Sequence, residues 1–307
     1  MHVDPYIVLA SAVVGLLVGM TGAGGGALMT PMLILLFAVK PSAAISSDLV
    51  AAVLMRPVGA TVHFRRGTVH RPLVKWMVIG SVPMAFLGAY LLHLMGNTKS
   101  AQTNIEMILG AALLLGAAAM VLRYYLDGRA GHERVAGLHD IIAKPLPTLV
   151  IGMIGGVIVG MTSVGAGSLM IILLLFLYPT INAKQLVGTD LAQAVPLTLA
   201  AACGALIFGH VDFGLTTSLI LGAVPAVLVG SMFSSSAPDR YIRPVITFVI
   251  FASGLKYIGV GTTELGWILV ATLACFTAWL AVKRPWRQTE IAATRRQTEI
   301  AAADADG

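Results

Sequence analysis

The sequence predicts an all-α, polytopic integral membrane protein made of two homologous repeats, each opening with a glycine-broken helix. Three observations carry that expectation. Charge is scarce: hydrophobic residues make up 57% of the chain and charged residues 11%, against roughly 25% charged in ordinary soluble domains. Charge is also segregated, because residues 5–39 and 145–179 hold none, and apolar runs of membrane-spanning length recur throughout. Finally, one motif occurs twice. Gly19-Met20-Thr21-Gly22-Ala23-Gly24-Gly25-Gly26 and Gly160-Met161-Thr162-Ser163-Val164-Gly165-Ala166-Gly167-Ser168 stand about 141 residues apart, each in the middle of a charge-free run.

The apolar segments follow in order. The first covers 5–39 and breaks near 21–26. A helix over 5–20 reaches about 24 Å, short of the ~30 Å hydrocarbon core, so two short helices meeting at the glycines are expected. Segments 45–64, 73–95 and 104–122 complete the first repeat, residues 1–122. Arg123, Asp127, Arg129, Glu133, Arg134, Asp140 and Lys144 make 123–146 a polar linker, expected on the cytoplasmic side. The second repeat runs over 147–178 (broken near 162–168), 188–208, 215–235 and 244–260, with 264–282 as an extra C-terminal helix, so 147–282 balances 1–122 in a total of about 8–10 membrane segments. Residues 283–307 form a polar tail in which Arg287–Ala293 is repeated as Arg296–Ala302; a solvated tail without chemistry is expected.

The repeat extends past the glycines. Asp48 matches Asp190, Gly67 matches Gly209, Gly80-Ser-Val-Pro83 matches Gly222-Ala-Val-Pro225, and Gly88 matches Gly230, all at an offset of 142. Loop charge then speaks to orientation. Arg65, Arg66, Arg71 and Lys75, the linker, and Lys283, Arg284 and Arg287 fall together on the cytoplasmic side only if each broken segment returns to the side it entered. The repeats are therefore expected to be inverted, with the N-terminus outside and the C-terminus inside.

Several classes are disfavoured. The net charge of +6 comes from loops and tail, not from a basic face on a soluble domain, so no nucleic-acid partner is expected. The expected partners are the lipid bilayer and a small anion, with a proton or cation as a candidate companion. Cys203 and Cys275 lie in apolar segments and read as small buried residues, not a disulfide or metal pair. Met1-His2-Val3-Asp4-Pro5 lacks the positive n-region of a signal peptide. Motifs for a metallohydrolase, a serine hydrolase or a phosphate-binding loop are absent from the sequence, so no enzyme, ATP-driven pump, metal site or cofactor is expected. Gly22 to Ala27 matches a dinucleotide fingerprint, but inside membrane-length apolar sequence and not between a strand and a helix.

Candidate site residues are the polar or flexible ones at membrane depth. Loose backbone in lipid survives only where it is buried in protein or lines a polar cavity, and a break in each half points to a transport site. Thr21, Gly22, Gly24, Gly25 and Gly26, with Thr162, Ser163, Gly165, Gly167 and Ser168, either allow close helix crossing or present amides to an anion. Arg56, mid-segment and followed by Pro57, needs a partner or a cavity: an ion pair with Asp48 or Asp190, or a bidentate seat for a sulfonate, sulfite or carboxylate. Asp48 and Asp190 are either helix N-caps or coupling carboxylates, and Gln193, one turn past Asp190, is expected to face the pore. Pro83 and Pro225 are candidate hinges. His63, Lys256 and Tyr257 are expected at the membrane interface.

At these residues the chain resembles the TauE/SafE family of sulfite-exporter-like permeases. The resemblance rests on Gly19 to Gly26, the echo from Gly160 to Gly167, and the region from Asp48 to Gly67; it covers roughly residues 5–282. It implies a bacterial inner-membrane carrier for sulfite, sulfoacetate or another sulfur compound. The second motif departs from the first, with Ser163, Val164 and Ala166 where glycines stand, so two equivalent sites are not expected. The combined expectation is a secondary transporter of a small anion working by alternating access, with an anion channel as the alternative.

Overall fold

The computed structural model describes residues 3–21, 25–65, 67–96, 98–129, 142–165, 167, 169–179, 181, 183–233 and 239–272, and among these it contains helices and no strand. Gly22, Gly24, Ser168, most of the linker, Cys275 and the tail lie outside the described residues. One compact unit ends at Gly259. Its described helices are α1 (Pro5–Thr21), α2 (Gly26–Phe37), α3 (Pro41–Arg65), α4 (Arg71–Leu94), α5 (Lys99–Arg129), α6 (Pro145–Thr162), α7 (Leu169–Leu177), α8 (Ala183–Phe208), α9 (Phe213–Phe233) and α10 (Asp239–Tyr257). A separate unit, Val260–Gly307, contributes a helix over 262–272.

Helices α3, α4, α5, α6, α8 and α9 each contain a stretch long and apolar enough to cross a membrane. Their outer faces carry exposed Leu54, Ile79, Leu115, Ile154, Ile207 and Leu221, a pattern that suits a lipid solvent and not water. The chain is a multi-pass membrane protein. Local chemistry sets several helix starts. Pro145 opens α6 and Pro72 sits in the first turn of α4, where no N–H is needed. Asp212 Oδ1 accepts the N–H groups of Gly214 (2.9 Å) and Leu215 (3.1 Å) to cap α9, as His70 Nδ1 accepts from Leu73 (3.4 Å) at α4.

Hydrogen bonds fix the relative directions of these helices. The His70 N–H, just after α3, donates to Thr189 Oγ1 near the start of α8 (3.0 Å). The Asp212 N–H, just after α8, donates to Ser47 Oγ near the start of α3 (3.1 Å). These are equivalent residues exchanged, and they make α3 and α8 antiparallel, with connections 66–70 and 209–212 at opposite ends of the bundle. Helix α1 runs along α9 in the same sense: the Asp4 N–H donates to Ser218 Oγ (3.1 Å), and Gly15 and Gly19 then meet Ala223 and Val227 in turn. Likewise Gly152, Gly156 and Gly160 of α6 meet Met77, Ser81 and Ala85 of α4. Helix α1 thus starts at the end where α3 also starts, and α2 must return between them. The same holds for α6, α7 and α8. Both broken segments are hairpins, and they enter from opposite ends.

Each hairpin locks onto the other half. The heaviest packing in the molecule is α4 on α6 and α1 on α9, along stripes of small residues four apart. A methyl group on Gly15 would sit 2.7 Å from the Ala223 carbonyl oxygen, and one on Gly156 would sit 2.5 Å from that of Ser81. Such stripes let backbones approach in lipid, where apolar burial between helices supplies little drive. The short return helices fill the space inside: Met29 and Leu33 of α2 pack with Leu219 of α9, while Met170 and Leu174 of α7 pack with Leu73 and Met77 of α4.

Three expectations change. Helix α3 begins at Pro41 and α8 at Ala183, so Asp48 and Asp190 lie two turns inside their helices and cap neither. Tyr257 is buried, its hydroxyl donating to the Pro31 carbonyl (3.4 Å), because α10 packs against α2 instead of ending at the interface. Cys203 points outward from α8.

Candidate functional site

The two breaks touch each other. The Gly26 Cα lies so close to the Ser163 carbonyl that a side chain at 26 would overlap it, and Gly25 faces the Met55 methyl group. The N-terminus of α2 and the C-terminus of α6 therefore meet beside the middle of α3. Ser163 is in the left-handed region (φ 59°), a conformation costing a non-glycine residue on the order of 1 kcal/mol. Its N–H donates to Val159 O (2.8 Å), and Thr162 Oγ1 donates to Ile158 O (2.6 Å) and accepts from Val164 N–H (3.1 Å). These bonds satisfy backbone that lipid cannot.

Around this junction sits a cluster of buried polar groups. Asp48 is 1% exposed and Arg56 8% exposed. Asp48 Oδ2 accepts from Thr30 Oγ1 on α2 (2.8 Å), while its Oδ1 has no hydrogen-bond partner. Ser163 Oγ, like Thr30 Oγ1, stands beside the same carboxylate. Arg56 lies in the electrostatic field of Asp190 first and Asp48 second, and its Nε and Nη2 lack hydrogen-bond partners. Those two nitrogens share one edge of the guanidinium, the edge that grips an oxyanion in bidentate fashion. Buried polar groups are normally paired, so the open donors of Arg56 make this cluster the candidate site.

Asp190 and Gln193 extend the cluster along α8. Gln193 is fully buried; its Nε2 donates to Asp190 Oδ1 (3.3 Å) and its Oε1 accepts from Ser81 Oγ on α4 (3.3 Å). Gln193 is thus tied down by protein on both sides of its amide. Arg56 has no counterpart in the second half, where Thr198 occupies the matching position and donates to Ala194 O (2.7 Å). The pseudo-symmetric frame therefore holds one guanidinium between two carboxylates.

The structure brings Gly25, Gly26, Arg56, Asp48, Thr162 and Ser163 together. Gly165 precedes α7, its carbonyl accepting from Leu169 (3.1 Å) and Met170 (3.3 Å). Thr21 bonds back to Leu17 O (2.7 Å) at the end of α1. Pro83 and Pro225 lie on the exposed faces of α4 and α9, opposite the glycine stripes. Thr30 and Ser81 escaped the sequence reading. Thr30 had a usable signal, since it is the lone hydroxyl in an otherwise apolar helix just after a glycine break. Among the described residues no group of three His, Cys, Asp or Glu side chains is placed to hold a metal ion.

Two hairpins thus meet near a buried, incompletely paired guanidinium in a multi-pass membrane protein, an arrangement that suits a membrane transporter. Comparison with known proteins narrows the class: the family model described as sulfite exporter TauE/SafE matches residues 7–257, and the chain belongs to that family. The match stops before the 264–282 segment that the resemblance was expected to include. The chain is 40% identical over 253 residues to YjnA of Bacillus subtilis (strain 168), described as a probable membrane transporter protein, and the alignment covers 82% of this chain and 98% of that one. YdhB of the same organism, with the same description, is 23% identical over 252 residues, 81% of this chain and 98% of its own. A probable membrane transporter protein of Xylella fastidiosa (strain Temecula1 / ATCC 700964) is 25% identical over 255 residues, covering 81% and 92%. No solved structure matches the chain.

Proposed function

We propose that this chain is a secondary carrier, without enzymatic activity, for a small sulfur oxyanion, sulfite or an organosulfonate, working by alternating access in a bacterial inner membrane. The observation that carries the reading is the buried Arg56, whose Nε and Nη2 have no hydrogen-bond partner, in the field of Asp190 and Asp48 on the helix that the α2 N-terminus meets. A sulfite or sulfonate group offers three acceptor oxygens. Two fit the guanidinium edge and the third accepts from a hydroxyl or from the first amides of α2, where the helix dipole favours negative charge.

Charge balance supports a companion ion. Two carboxylates and one guanidinium leave the cluster at −1 when all are ionised, and an added monoanion would deepen that deficit in a poorly solvated site. A proton or cation taken up at Asp48 or Asp190 removes the excess. Transport is then symport of the anion with that ion. Since α1 is locked to α9 and α6 to α4, the moving bodies in this reading are these cross-half pairs pivoting about α3 and α8, and not residues 1–122 against 147–282 as rigid blocks. The orientation follows the loop charge, with the Arg65–Lys75 region cytoplasmic and the N-terminus outside.

The test is flux in proteoliposomes. Saturable sulfite uptake with counterflow is expected, and Arg56→Gln protein that is folded and inserted transports at background. Conductance without saturation or counterflow would make the protein a channel. Wild-type rates in the Arg56→Gln protein would remove the site.

A further inference from the structure

Where α3 ends and α4 begins, a groove of about 420 Å³ opens on the outside of the bundle. Phe64, Val69, Val74, Val78 and Ile79 form its walls, and Phe64 and Ile79 are about half exposed. Arg71 and Lys75 contribute their aliphatic stems to the same groove. On α4 the residues Arg71, Lys75 and Ile79 are spaced by four and so share one face. The two cations occupy the first turns of the helix, at the rim of the bundle, and the apolar walls continue inward over about 12 Å. Arg65, at the end of α3, is exposed.

Two further observations say what kind of ligand this rim takes. Residues 49–105 contain no Asp or Glu, so α3 and α4 offer these cations no carboxylate along that stretch. The internal repeat supplies a control at the opposite end of the bundle. There most wall positions stay apolar, with Leu206, Val211, Ile220 and Leu221 for Phe64, Val69, Val78 and Ile79 and Thr216 for Val74, while Phe213 and Thr217 replace Arg71 and Lys75. Packing of the fold therefore needs the apolar stripe and does not need the charges. The cations belong to one membrane face alone, the face where Lys and Arg accumulate and anionic lipids concentrate.

We propose that this groove seats one anionic phospholipid, its phosphate held by Arg71 and Lys75 and an acyl chain lying along Phe64, Val78 and Ile79. The full chain, purified in detergent, is titrated with phosphatidylglycerol or phosphatidylcholine while its unfolding temperature is followed. Phosphatidylglycerol raises the midpoint saturably and phosphatidylcholine at the same mole fraction does not. The Arg71→Gln/Lys75→Gln protein needs on the order of tenfold more phosphatidylglycerol for half the effect, as expected from two surface cations. Val78→Trp, which fills the groove and leaves both charges, loses the effect too, whereas Lys99→Gln, an exposed cation at the start of α5, behaves as wild type. Equal stabilisation of the wild type by both lipids overturns the proposal without any variant. A full response in Val78→Trp, or a Lys99→Gln loss as large as that of the double variant, overturns it by reducing the effect to general surface charge. If light scattering instead shows a second copy of the chain leaving the groove as lipid is added, the proposal stands; a dimer sealed through the groove that phosphatidylglycerol cannot alter refutes it.

Discussion

Arg56→Lys separates charge from geometry at the junction of the two breaks. Lysine keeps the positive charge between Asp190 and Asp48, but its ammonium is a point donor on a flexible stem and not a planar fork. In the wild type, Nε and Nη2 are the buried donors left open. Each charge-assisted hydrogen bond from such a group is worth ~1.5–3 kcal/mol. Lysine can close one of the two, so the variant loses a single bond, which corresponds to roughly a 10- to 150-fold rise in half-saturating anion concentration. Arg56→Gln loses both bonds and the charge, ~3–6 kcal/mol in all, and falls below detection at millimolar substrate. The assay is counterflow of labelled sulfite in proteoliposomes preloaded with unlabelled substrate. Size-exclusion profiles of each protein are taken first, so that folding failure is scored apart from site failure. An Arg56→Lys half-saturation within twofold of wild type would refute the bidentate seat, because charge alone would then suffice.

Three other outcomes follow from the same contacts. Gly15→Ala forces a methyl group 2.7 Å from the Ala223 carbonyl oxygen and should destabilise the protein by ~1–3 kcal/mol through overpacking; Gly59→Ala meets only the Leu191 methyl groups at 3.8 and 3.9 Å and should be neutral or slightly stabilising through helix propensity. Thermal unfolding in detergent reads both, and equal midpoints would deny the backbone-to-backbone fit of α1 on α9. Asp48→Asn keeps an acceptor for Thr30 while removing a charge, so counterflow should persist while net flux loses its response to an imposed pH or sodium gradient; an unchanged response in both this protein and Asp190→Asn would remove the coupling assignment. Single cysteines at 68 and 212, with Cys203 and Cys275 replaced by alanine, should react with an impermeant maleimide from opposite sides of the membrane, and labelling from one side would refute the inverted arrangement.

Much of the fold is legible in the sequence because lipid is a demanding solvent. Every spanning segment must satisfy its own backbone, so helices announce themselves as long charge-free runs, and the two glycine breaks stand out as the places where that rule is suspended. The loop cations agree on a face only with hairpins, which made the return of each break an expectation, and the bonds between α3 and α8 orient the helices in that way. Asp48 and Asp190 show the limit. From sequence alone a carboxylate after Ser46-Ser47 or Gly188-Thr189 looks like a helix cap. Helix α3 starts earlier, at Pro41, because proline suits a first turn, and that shift of two turns moves Asp48 from a helix end to the edge of the central cluster.

What the sequence by itself determined is therefore the solvent, the helices, the duplication and the two places where backbone is left loose. Those follow from local composition and periodicity, which each segment carries within itself. Only the tertiary structure decided which helix lies against which. The exchange of α1 onto α9 and α6 onto α4 depends on small residues from distant segments facing each other across a few ångströms, and no single segment encodes that pairing. The same packing brings Gly26 against Ser163 and sets Arg56 between Asp190 and Asp48 with one edge open. A buried cation's role is fixed by what faces it, and Arg56 is set by Asp48 of its own helix and Asp190 of α8, brought together only by packing.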